Sequence, residues 1–568
     1  MPFEMQIFGD RIFRNPVETI AADSPESLAE AFGKIDALRE KKFVLGYVEY
    51  EAWKLFEKIR AGKSVGENAS ADGRGAKHPL AYFEVFDSCE KYEPAAHCGE
   101  IETSLVPDIS RAEYCAAISE IKKRLAAGDT YEVNFTYPNT LFTDCPNDFE
   151  LFERLAARQP TPYRAFIKNE YLTVLSFSPE LFFEIENGKI TALPMKGTAP
   201  RGNSPEEDTR NAQNLKLDEK NRAENLMIVD LMRNDLSRIA MPASVRVESM
   251  FDVQALPTVH QMTSKISAEL RENVSTLDVF AALFPCGSIT GAPKLSTMRI
   301  IEELETSPRG VYCGAICLFS PEKTVCSVPI RTLQKRAGYG RFEYRVGGAV
   351  VWDSTADGEW LETLHKRSFI DGDFSLIETA RVENGKIALW DLHLARMENS
   401  ARELGFAFPR RELENIVPER DGIVRAALSR NGKLAISYRD LVPPASDFVE
   451  ISPDRIDAQN PLFRHKTTKR GRFENASKRI AEAELYDVLF LNTRGEVAEG
   501  SRTNVVVEKD GGLFTPPLES GALDGVFRRS VLGKMREKTL TLRDLETADK
   551  IFCVNSVRGM RRVYLRNS

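Results

Sequence analysis

The stretch YLTVLSFSPELFFEIENGKITALPM, residues 171–195, limits the folds open to this chain more than any other feature. Runs of β-branched and aromatic residues alternate in it with Ser-Pro and Asn-Gly turn signals, so it predicts strands joined by turns. A later stretch, from RGVYCGAICLFS to FEYRVGGAVVWDS, also has the pattern of antiparallel strands. A domain built from such strands must bury their apolar faces against another layer.

Helices are predicted between these strand regions. SRAEYCAAISEIKKRLAAGD has apolar residues at helical spacing after Ser110, a plausible N-cap. Two later segments are also predicted to be helical: DEKNRAENLMIVDLMRNDLSRIA and the one that begins ADGEWLETLHK. The sequence therefore predicts an α+β class of fold for this part of the chain.

The pattern changes near residue 370, where FIDGDFSLIETARVENGKIALWDLH begins a new order of strand, turn and strand. The chain has 568 residues, which favours more than one domain. We therefore predict two domains, 1–371 and 372–568, which abut without a Gly/Ser-rich linker.

Charge and composition exclude several classes of function. The net charge is −7 and no long basic run occurs, which disfavours binding to nucleic acid or to acidic membranes. The start of the chain has no signal-peptide pattern, and no apolar stretch approaches the ~18 residues of a membrane span. The nine cysteines are scattered without a CxxC pair, which indicates reduced thiols in a cytoplasmic protein.

Two helical segments carry acidic residues that could bind a metal ion. Asn221 and Glu224 lie three residues apart, and so do Glu359 and Glu362, so each pair lies on one helix face. Oxygen ligands of this kind suit Mg²⁺. A solvated helix face has the same spacing, however, and spacing alone does not separate the two interpretations.

The order of several motifs separates them. Seven motifs follow one another along the chain: SPELFF, PMKGTAPRG, AENLMIVDLMRNDLSR, FPCGSITGAPK, RGVYCGA, IRTL and GGAVVWDS…GEWLETLHK. This series resembles the chorismate-utilising enzymes, which make anthranilate, aminodeoxychorismate, isochorismate or salicylate. The resemblance covers roughly residues 110–370. It implies a fold of two packed antiparallel sheets with outer helices and a site that binds Mg²⁺ and chorismate.

The resemblance also implies roles for individual residues. Glu224 and Glu362 would hold the metal ion, with help from Glu359. The residues that would hold the carboxylates and ring of chorismate are Thr290, Tyr312, Arg331, Gly347, Gly348 and Lys366. His260 matches a family histidine whose role, direct contact or hydrogen bonding within the core, stays open.

Lys196 in PMKGTAPRG distinguishes members of this family. Anthranilate synthases have alanine there, whereas a lysine resembles the aminodeoxychorismate synthases, in which it attacks C2 of chorismate. We expect burial beside Mg²⁺ to depress the pKa of this amine. Glu180 matches the general acid that protonates the departing hydroxyl. Relatives that add water have a lysine where this chain has Glu132, which disfavours isochorismate synthesis.

The segment 372–568 carries a second ordered set: DLHLARMENSARELGF, FRHKTTKR, EVAEGSRTNVVV, FTPPLESGALDGVFRRSV and CVNSVRGMRRV. It resembles the α/β fold-type IV enzymes of pyridoxal 5′-phosphate (PLP), which include aminotransferases and 4-amino-4-deoxychorismate lyase. The resemblance implies that Lys466 binds PLP covalently and is catalytic, and that Glu499 faces the pyridine nitrogen. Phosphate binding would fall to Arg396, Ser556 and the backbone at Val526 and Phe527, where a Gly turn begins a helix.

Together the two resemblances predict an enzyme that converts chorismate and ammonia to 4-aminobenzoate for folate synthesis in two steps. The alternatives are an active first domain with a transaminase or an inactive second domain, anthranilate synthase-like activity, and a regulatory protein with spent sites. No glutaminase-type nucleophile loop is visible, so we expect ammonia from a separate glutamine amidotransferase subunit. The second resemblance is compatible with a homodimer through the PLP domain.

Overall fold

The computed structural model describes residues 5–61, 78–94, 101–202, 204–256 and 259–566. Its internal contacts divide the chain into two compact units, Met1–Asp371 (unit 1) and Gly372–Ser568 (unit 2). Each unit has its own sheets and its own apolar clusters. In the described ranges, no helix is both long enough and apolar enough to cross a membrane.

Strands make up most of unit 1. In chain order they are β1 Met5–Phe8, β2 Arg11–Arg14, β3 Glu18–Ala22, β4 Phe43–Val48, β5 Ala81–Phe86, β6 Glu90–Lys91, β7 Thr103–Pro107, β8 Glu132–Thr143, β9 Tyr163–Lys168, β10 Leu172–Ser178, β11 Leu181–Glu186, β12 Lys189–Leu193, β13 Met195–Pro200, β14 Arg246–Ala255, β15 Val259–Glu269, β16 Gly291–Ala292, β17 Ala315–Phe319, β18 Thr324–Ser327, β19 Thr332–Arg336 and β20 Glu343–Val350. The α-helices of this unit are α1 Pro25–Leu38, α2 Trp53–Arg60, α3 Arg111–Ala127, α4 Asp148–Arg158, α5 Pro205–Leu217, α6 Glu219–Ser237, α7 Thr276–Leu283, α8 Lys294–Leu304 and α9 Ala356–Asp371.

These strands form two ten-stranded sheets. Sheet I has the order β16-β8-β20-β19-β10-β9-β1-β2-β6, with β7 also paired to β8. Sheet II has the order β13-β15-β12-β11-β18-β17-β4-β5-β3, with β14 also paired to β15. The described pairings within both sheets are antiparallel. The chain crosses from sheet I to sheet II between β10 and β11, inside the stretch that predicts strands joined by turns.

Three apolar clusters define the layers of unit 1. One lies between the sheets, where Phe13 and Ile167 of sheet I share a cluster with Tyr47 and Ile316 of sheet II. A second packs α1, α2, α6 and α7 on the other face of sheet II, and a third packs α3, α4 and α9 on sheet I. The predicted fold of two packed antiparallel sheets with outer helices is confirmed.

The helix predicted after Ser110 forms because both of its ends are capped. The Ser110 side chain accepts the N–H of Glu113, and the Glu113 carboxylate accepts the N–H of Ser110 in return. The helix α3 ends at Gly128, whose φ of 79° lies in the left-handed region. The other two predicted helices are α6 and α9, and they bring the acidic pairs of the sequence into the structure.

The expectation of reduced thiols throughout is wrong at one pair. Cys317 on β17 and Cys326 on β18 are joined by a disulfide. The antiparallel register places these two residues directly opposite each other, with both side chains fully buried. Their separation of nine residues in sequence gives no sign of this pairing, because the register of the hairpin decides it.

Unit 2 contains a small sheet and a larger one. Its strands are β21 Leu376–Glu383, β22 Lys386–Ile387, β23 Gly422–Leu428, β24 Leu434–Arg439, β25 Phe448–Ile456, β26 Asp487–Asn492, β27 Val497–Gly500, β28 Asn504–Lys509, β29 Gly512–Thr515, β30 Arg536–Glu537, β31 Lys550–Asn555 and β32 Gly559–Leu565. Its α-helices are α10 Trp390–Leu404, α11 Arg410–Glu414, α12 Glu474–Glu482, α13 Val526–Val531 and α14 Leu542–Glu546.

The small sheet of unit 2 is antiparallel, with the order β22-β21-β23-β24. The larger sheet has the order β27-β26-β25-β32-β31-β28-β29-β30 and is mixed, because β25 runs parallel to both β26 and β32. The helix predicted at the Gly turn of LDGVFRRSV is α13, which starts directly after Gly525.

Candidate active sites

Lys196 lies on β13, at the end of sheet II, and reaches across to sheet I. Its Nζ donates to Glu132 Oε1 at 2.6 Å and to Asn134 Oδ1 at 3.4 Å, both on β8. Lys196 is 8% exposed and Glu132 is 0% exposed. This lysine is therefore a buried side chain between the two sheets and not a surface lysine of a loop.

A β-bulge in β13 beside Lys196 fixes its direction, because the register with β15 shifts between Met195 and Thr198. Gly197 has a φ of 90°, a left-handed conformation that glycine adopts without strain. A Cβ on this residue would lie 2.9 Å from Asn221 Oδ1, in the first turn of α6. The backbone beside the lysine thus packs tightly against the helix that carries Glu224.

The depression of the Lys196 pKa that we expect beside Mg²⁺ stays a prediction, whereas the protein side chains alone have the opposite effect. Burial acts to lower this pKa, but the carboxylate of Glu132 raises it through charge and through its hydrogen bond. Glu224 and Glu180 raise it further, and the net result is a pKa above the ordinary value. The sequence predicted the lysine but not the set of carboxylates, Glu132, Glu224 and Glu180, that the fold places near it.

Glu180 stands where the chain passes from β10 to β11. Ser178 Oγ donates to Val328 O at 2.5 Å, and Val328 N donates to Glu180 O at 3.1 Å, so this crossing is firmly held. Ser288 Oγ donates to Glu180 Oε1 at 2.6 Å. Burial raises the pKa of the Glu180 carboxyl to about 7, against the opposing effects of Ser288 and Lys196. A carboxyl with this pKa can act as a general acid near neutral pH.

The three predicted metal ligands lie on α6 and α9. Burial raises the pKa of Glu224 to about 7 and also raises that of Glu359, whereas Lys366 lowers the pKa of Glu362. Glu362 Oε1 pairs with Lys366 Nζ at 2.7 Å. Because the charge of Glu362 affects the pKa of both Glu224 and Glu359, the carboxylates of the two helices face a shared space.

Within the described ranges, no group of three or more His, Cys, Asp or Glu side chains is arranged so that it could hold a metal ion. The donor set nevertheless fits a hard cation. Glu359 Oε2 is buried, and it has no hydrogen-bond partner in the described part of the chain. A Cβ on Gly348 would lie 2.9 Å from this same oxygen and 3.4 Å from Glu362 Oε1, so only glycine fits beside the carboxylates. The oxygen types and the unsatisfied acceptor are those that Mg²⁺ prefers.

Three of the predicted substrate residues adjoin this carboxylate group. Gly347 and Gly348 lie on β20, opposite Thr136 and Phe135 of β8. Lys366 Nζ donates to Gly347 O at 2.7 Å as well as to Glu362. The structure therefore brings the glycines, Lys366 and the acidic helix face together.

Of the other predicted substrate residues, Thr290 and Tyr312 are buried and Arg331 is partly buried. Thr290 accepts the backbone N–H of Asn134 at 2.8 Å through its carbonyl, which ties it to the strand of Glu132. Arg331 has a φ of 52°, and its Nη1 is buried with no hydrogen-bond partner among the described residues. Burial lowers its pKa, and Tyr344 acts in the opposite direction with a smaller effect. Arg331 and Tyr312 both interact with Tyr344, and no described hydrogen bond joins either of them to Lys196.

A buried guanidinium nitrogen without a hydrogen-bond partner is costly unless an anion binds it. A backbone conformation outside the usual regions also clusters at functional sites.

By contrast, His260 has a protein partner, since its Nε2 lies 2.8 Å from Asp208 Oδ1. The hydrogen-bonded role is the one that the structure shows for this histidine.

In unit 2, the surroundings of Lys466 lower the pKa of its amine, whereas those of Lys196 raise it. Burial lowers the pKa of its amine to about 7, and the neighbouring cations Arg470 and Arg396 lower it as well. Glu499 on β27 is buried, and its Oε2 accepts the N–H of Leu523 at 2.9 Å. Burial raises the Glu499 pKa while Lys466 acts to lower it, so the two predicted cofactor residues share one site.

Three of the predicted phosphate residues, Arg396, Val526 and Phe527, lie at the start of α13. Arg396 donates through Nη1 to Asp524 O at 3.0 Å, two residues before Val526. A Cβ on Gly559 would lie 3.7 Å from the Phe527 ring. Ser556 Oγ instead donates to Thr379 O at 3.1 Å, and no described hydrogen bond joins it to α13.

Sequence reasoning missed the partners of these residues. Ser288 binds the predicted acid, although only its place in FPCGSITGAPK, two residues before Thr290, hints at a role. Glu378 accepts Arg396 Nε at 2.8 Å and Nη2 at 2.6 Å, and it also lies 2.6 Å from His393 Nδ1. These contacts join distant segments, which a linear pattern does not reveal.

Unit 1 thus has a two-sheet fold with a buried lysine, a carboxyl whose pKa lies near neutral pH, and acidic side chains on α6 and α9. Residues 4–371 match the model of the chorismate binding enzyme family, and the chain belongs to that family. Residues 375–564 match the model of amino-transferase class IV.

Curated relatives resemble unit 1. The chain is 41% identical over 260 residues to aminodeoxychorismate synthase component 1 of Salmonella typhimurium, covering 46% of this chain and 57% of the relative. It is 44% identical over 258 residues to aminodeoxychorismate synthase of Streptomyces griseus, covering 45% of this chain and 35% of the relative. The match therefore spans little more than half of one relative and about a third of the other.

A solved structure resembles unit 1 in fold. The crystal structure of anthranilate synthase component I from Streptococcus pneumoniae aligns with a TM-score of 0.51 at 23% identity, covering 65% of this chain and 93% of that one.

Proposed function

We propose that the protein makes 4-aminobenzoate from chorismate and ammonia in two steps. Unit 1 replaces the C4 hydroxyl of chorismate by an amino group and releases water. Unit 2 then removes pyruvate from 4-amino-4-deoxychorismate, which leaves the aromatic product. The names of the unit 1 relatives support the first step, and the class IV match supports a PLP-dependent second step.

The burial of Lys196 beside Glu132, with Glu180 within electrostatic reach, is the observation that carries this proposal. A lysine that served only solubility would keep its ammonium in water. Here the amine is enclosed and faces the acid that could protonate a leaving hydroxyl. This pairing of a nucleophile with a general acid is what an amino-group exchange requires.

In the first step, Lys196 Nζ adds to C2 of chorismate while Glu180 gives a proton to the C4 hydroxyl, which leaves as water. Ammonia then adds at C4, and the bond between C2 and Lys196 breaks. Arg331 supplies an unpaired guanidinium for a substrate carboxylate, and Tyr312, Thr290, Lys366 and the β20 backbone enclose the rest. A substrate carboxylate would give a partner to the buried Nη1 of Arg331, which has none among the described residues.

Glu224, Glu359 and Glu362 would hold Mg²⁺. When bound, this ion supplies positive charge that offsets the negative charge of the substrate. The same carboxylates raise the pKa of Lys196 when no cation is present. We therefore infer that filling the acidic face favours the neutral form of the amine.

In unit 2, Lys466 removes the C4 proton of the intermediate, and pyruvate leaves as the ring becomes aromatic. PLP supplies the electron sink for this step when it is bound. Glu499 would face the ring nitrogen, while Arg396, Ser556 and the start of α13 at Val526 and Phe527 would hold the phosphate. A lysine pKa of about 7 suits a group that must exchange protons near neutral pH.

The ammonia would come from a separate glutamine amidotransferase subunit, as the word "component" in the name of the Salmonella relative suggests. We place the reaction in the cytoplasm, with small anionic metabolites as substrates and without nucleic acid or membrane partners. A homodimer through unit 2 remains part of the proposal.

The test is product identification with the purified protein, chorismate, ammonium, Mg²⁺ and PLP. We expect 4-aminobenzoate and pyruvate. Chelation of Mg²⁺ should stop the reaction from chorismate and leave conversion of supplied 4-amino-4-deoxychorismate intact. Anthranilate or isochorismate as the product would overturn the first step. Accumulation of 4-amino-4-deoxychorismate with PLP present would overturn the second step and favour the transaminase alternative.

A further inference from the structure

Ser288 is buried against Glu180, in a segment that carries no assigned chemistry of its own. It lies in a single 3-10 turn, Gly287–Ile289, and is 4% exposed. Its Oγ donates to Glu180 Oε1 at 2.6 Å, a short distance typical of a hydroxyl bonded to a carboxyl group.

A second polar atom continues this contact. Cys286 Sγ lies 3.2 Å from Ser288 Oγ, and burial raises the pKa of the Cys286 thiol to about 12. The thiol therefore keeps its proton and can donate to Ser288, while Ser288 donates to Glu180. The hydrogen bonds run in one direction, from Cys286 through Ser288 to the carboxyl of Glu180.

We propose that Ser288 is a positioning residue for the general acid, which holds Glu180 Oε1 and leaves Oε2 to carry the transferable proton. This inference rests on the proposed function of unit 1. In the transfer, the bond between Oε2 and its hydrogen breaks, the proton joins the C4 hydroxyl, and water leaves. The negative charge that remains on Glu180 is then stabilised by the Ser288 hydroxyl, because a hydrogen bond to a charged acceptor is stronger than one to a neutral acceptor.

The groups that face Glu180 support this assignment. Lys196, the Ser288 hydroxyl and the backbone of Met195 each act to lower the pKa of Glu180 against the larger effect of burial. Cys286 is the other titratable neighbour, and it stays protonated. Removal of the Ser288 hydroxyl therefore weakens the stabilisation of the carboxylate and should raise the pKa of Glu180.

The first test compares Ser288→Ala with Ser288→Thr, which keeps a hydroxyl. For Ser288→Ala we expect kcat for the first step to fall roughly 10- to 100-fold, the range for a lost hydrogen bond to a charged group. The alkaline limb of the pH profile should move up by roughly one pH unit or more. Ser288→Thr should return the alkaline limb of the pH profile to its wild-type position. A lower rate with an unmoved limb would overturn the proposal.

Two further variants control for folding. Ser327→Ala removes a fully buried hydroxyl of sheet II that donates to Ile316 O at 3.3 Å, and it should leave the limb in place. Cys286→Ala removes only the outer donor and should move the limb less than Ser288→Ala does. Thermal unfolding of each variant shows whether a rate change reflects loss of folded protein.

An infrared pH titration tests the contact without any turnover. The band of a protonated buried carboxyl, assigned to Glu180 by its loss in Glu180→Gln, should titrate near pH 7, as the raised pKa requires. In Ser288→Ala it should shift and titrate at higher pH. A shifted band in a protein that makes no amino product would uphold the contact and refute the proposed function. Product formation with an unshifted band would refute the role of Ser288 alone.

Discussion

The two units each enclose one lysine of proposed catalytic function, and they treat it in opposite ways. In unit 1 the carboxylates of Glu132, Glu224 and Glu180 outweigh burial and raise the pKa of Lys196. In unit 2 burial, together with Arg470 and Arg396, lowers the pKa of Lys466 to about 7. Burial acts in the same direction on both amines, so the sign of the surrounding charge decides the outcome.

This difference shows what each site still needs. Lys466 is poised to be neutral near pH 7, and a neutral amine is what bond formation with a carbonyl requires. Lys196 is held as an ammonium until the negative charge around it is offset or its proton is removed. A cation on the acidic helix face would do the first, which ties the nucleophile of unit 1 to the proposed metal site.

The largest expected effect is the loss of either lysine. Lys196→Ala should lower the rate of amino transfer to chorismate by at least about 10³-fold, because no other amine can take its place. Turnover of supplied 4-amino-4-deoxychorismate by unit 2 should stay unchanged. Lys189→Ala is the matched control, since Lys189 is an exposed lysine of the same sheet. Retained amino transfer in Lys196→Ala would break the comparison.

Lys466→Ala should give the reverse result. We expect loss of the visible absorbance of bound PLP and of pyruvate release, with accumulation of 4-amino-4-deoxychorismate from chorismate. The control variant Lys509→Ala should behave like the wild type, because this amine donates to the hydroxyl of the exposed Thr547. Absorbance that persists in Lys466→Ala would mean that another lysine holds the cofactor.

A smaller effect should follow from Glu132→Gln, which removes the charge nearest to Lys196 and keeps a hydrogen-bond acceptor. Glu132→Ala is less suitable, since it strips a buried ammonium of its closest partner, a change that costs about 3–5 kcal/mol in typical buried pairs. Because Glu132 raises the Lys196 pKa, its neutralisation should lower that pKa.

The measurement is the pH dependence of the covalent adduct between the protein and chorismate in the presence of Mg²⁺. Its midpoint should move to lower pH in Glu132→Gln. Glu248→Gln, which neutralises the partner of the exposed Lys189 and Lys265, should leave it in place. A midpoint that does not move, or that rises, would show that Glu132 does not set the charge state of Lys196.

The smallest expected effect is the corresponding change in unit 2, in which a positive charge near Lys466 is removed and the pKa of this amine moves in the opposite direction. Arg470 lowers the pKa of Lys466, so Arg470→Gln should raise it, by less than about one unit. The pH midpoint for capture of added PLP by the apo-protein, followed by absorbance, should then move upward. A downward shift would contradict the opposite treatment of the two lysines.

Much of the fold follows from local sequence, and much of the site does not. The capping residues Ser110 and Glu113 lie three apart and set the start of α3, which is why the helix could be predicted. Glu132 and Lys196 are 64 residues apart and meet across the ends of two sheets. The sequence therefore identified the lysine but not the distant carboxylates that raise its pKa.

Register explains the other failures of prediction. Cys317 and Cys326 face each other only because β17 and β18 pair as they do. Ser288 likewise meets Glu180 over a separation of 108 residues. Residue types and their order can indicate a family and its chemistry, but contacts between distant strands depend on the complete fold.

Peptide mapping after incubation with chorismate and Mg²⁺, with ammonium withheld, tests the central claim most directly. We predict a covalent adduct on the peptide that contains Lys196, which disappears when ammonium is added. An adduct on a different residue, or amino product formed at full rate with Lys196 never modified, would contradict the account.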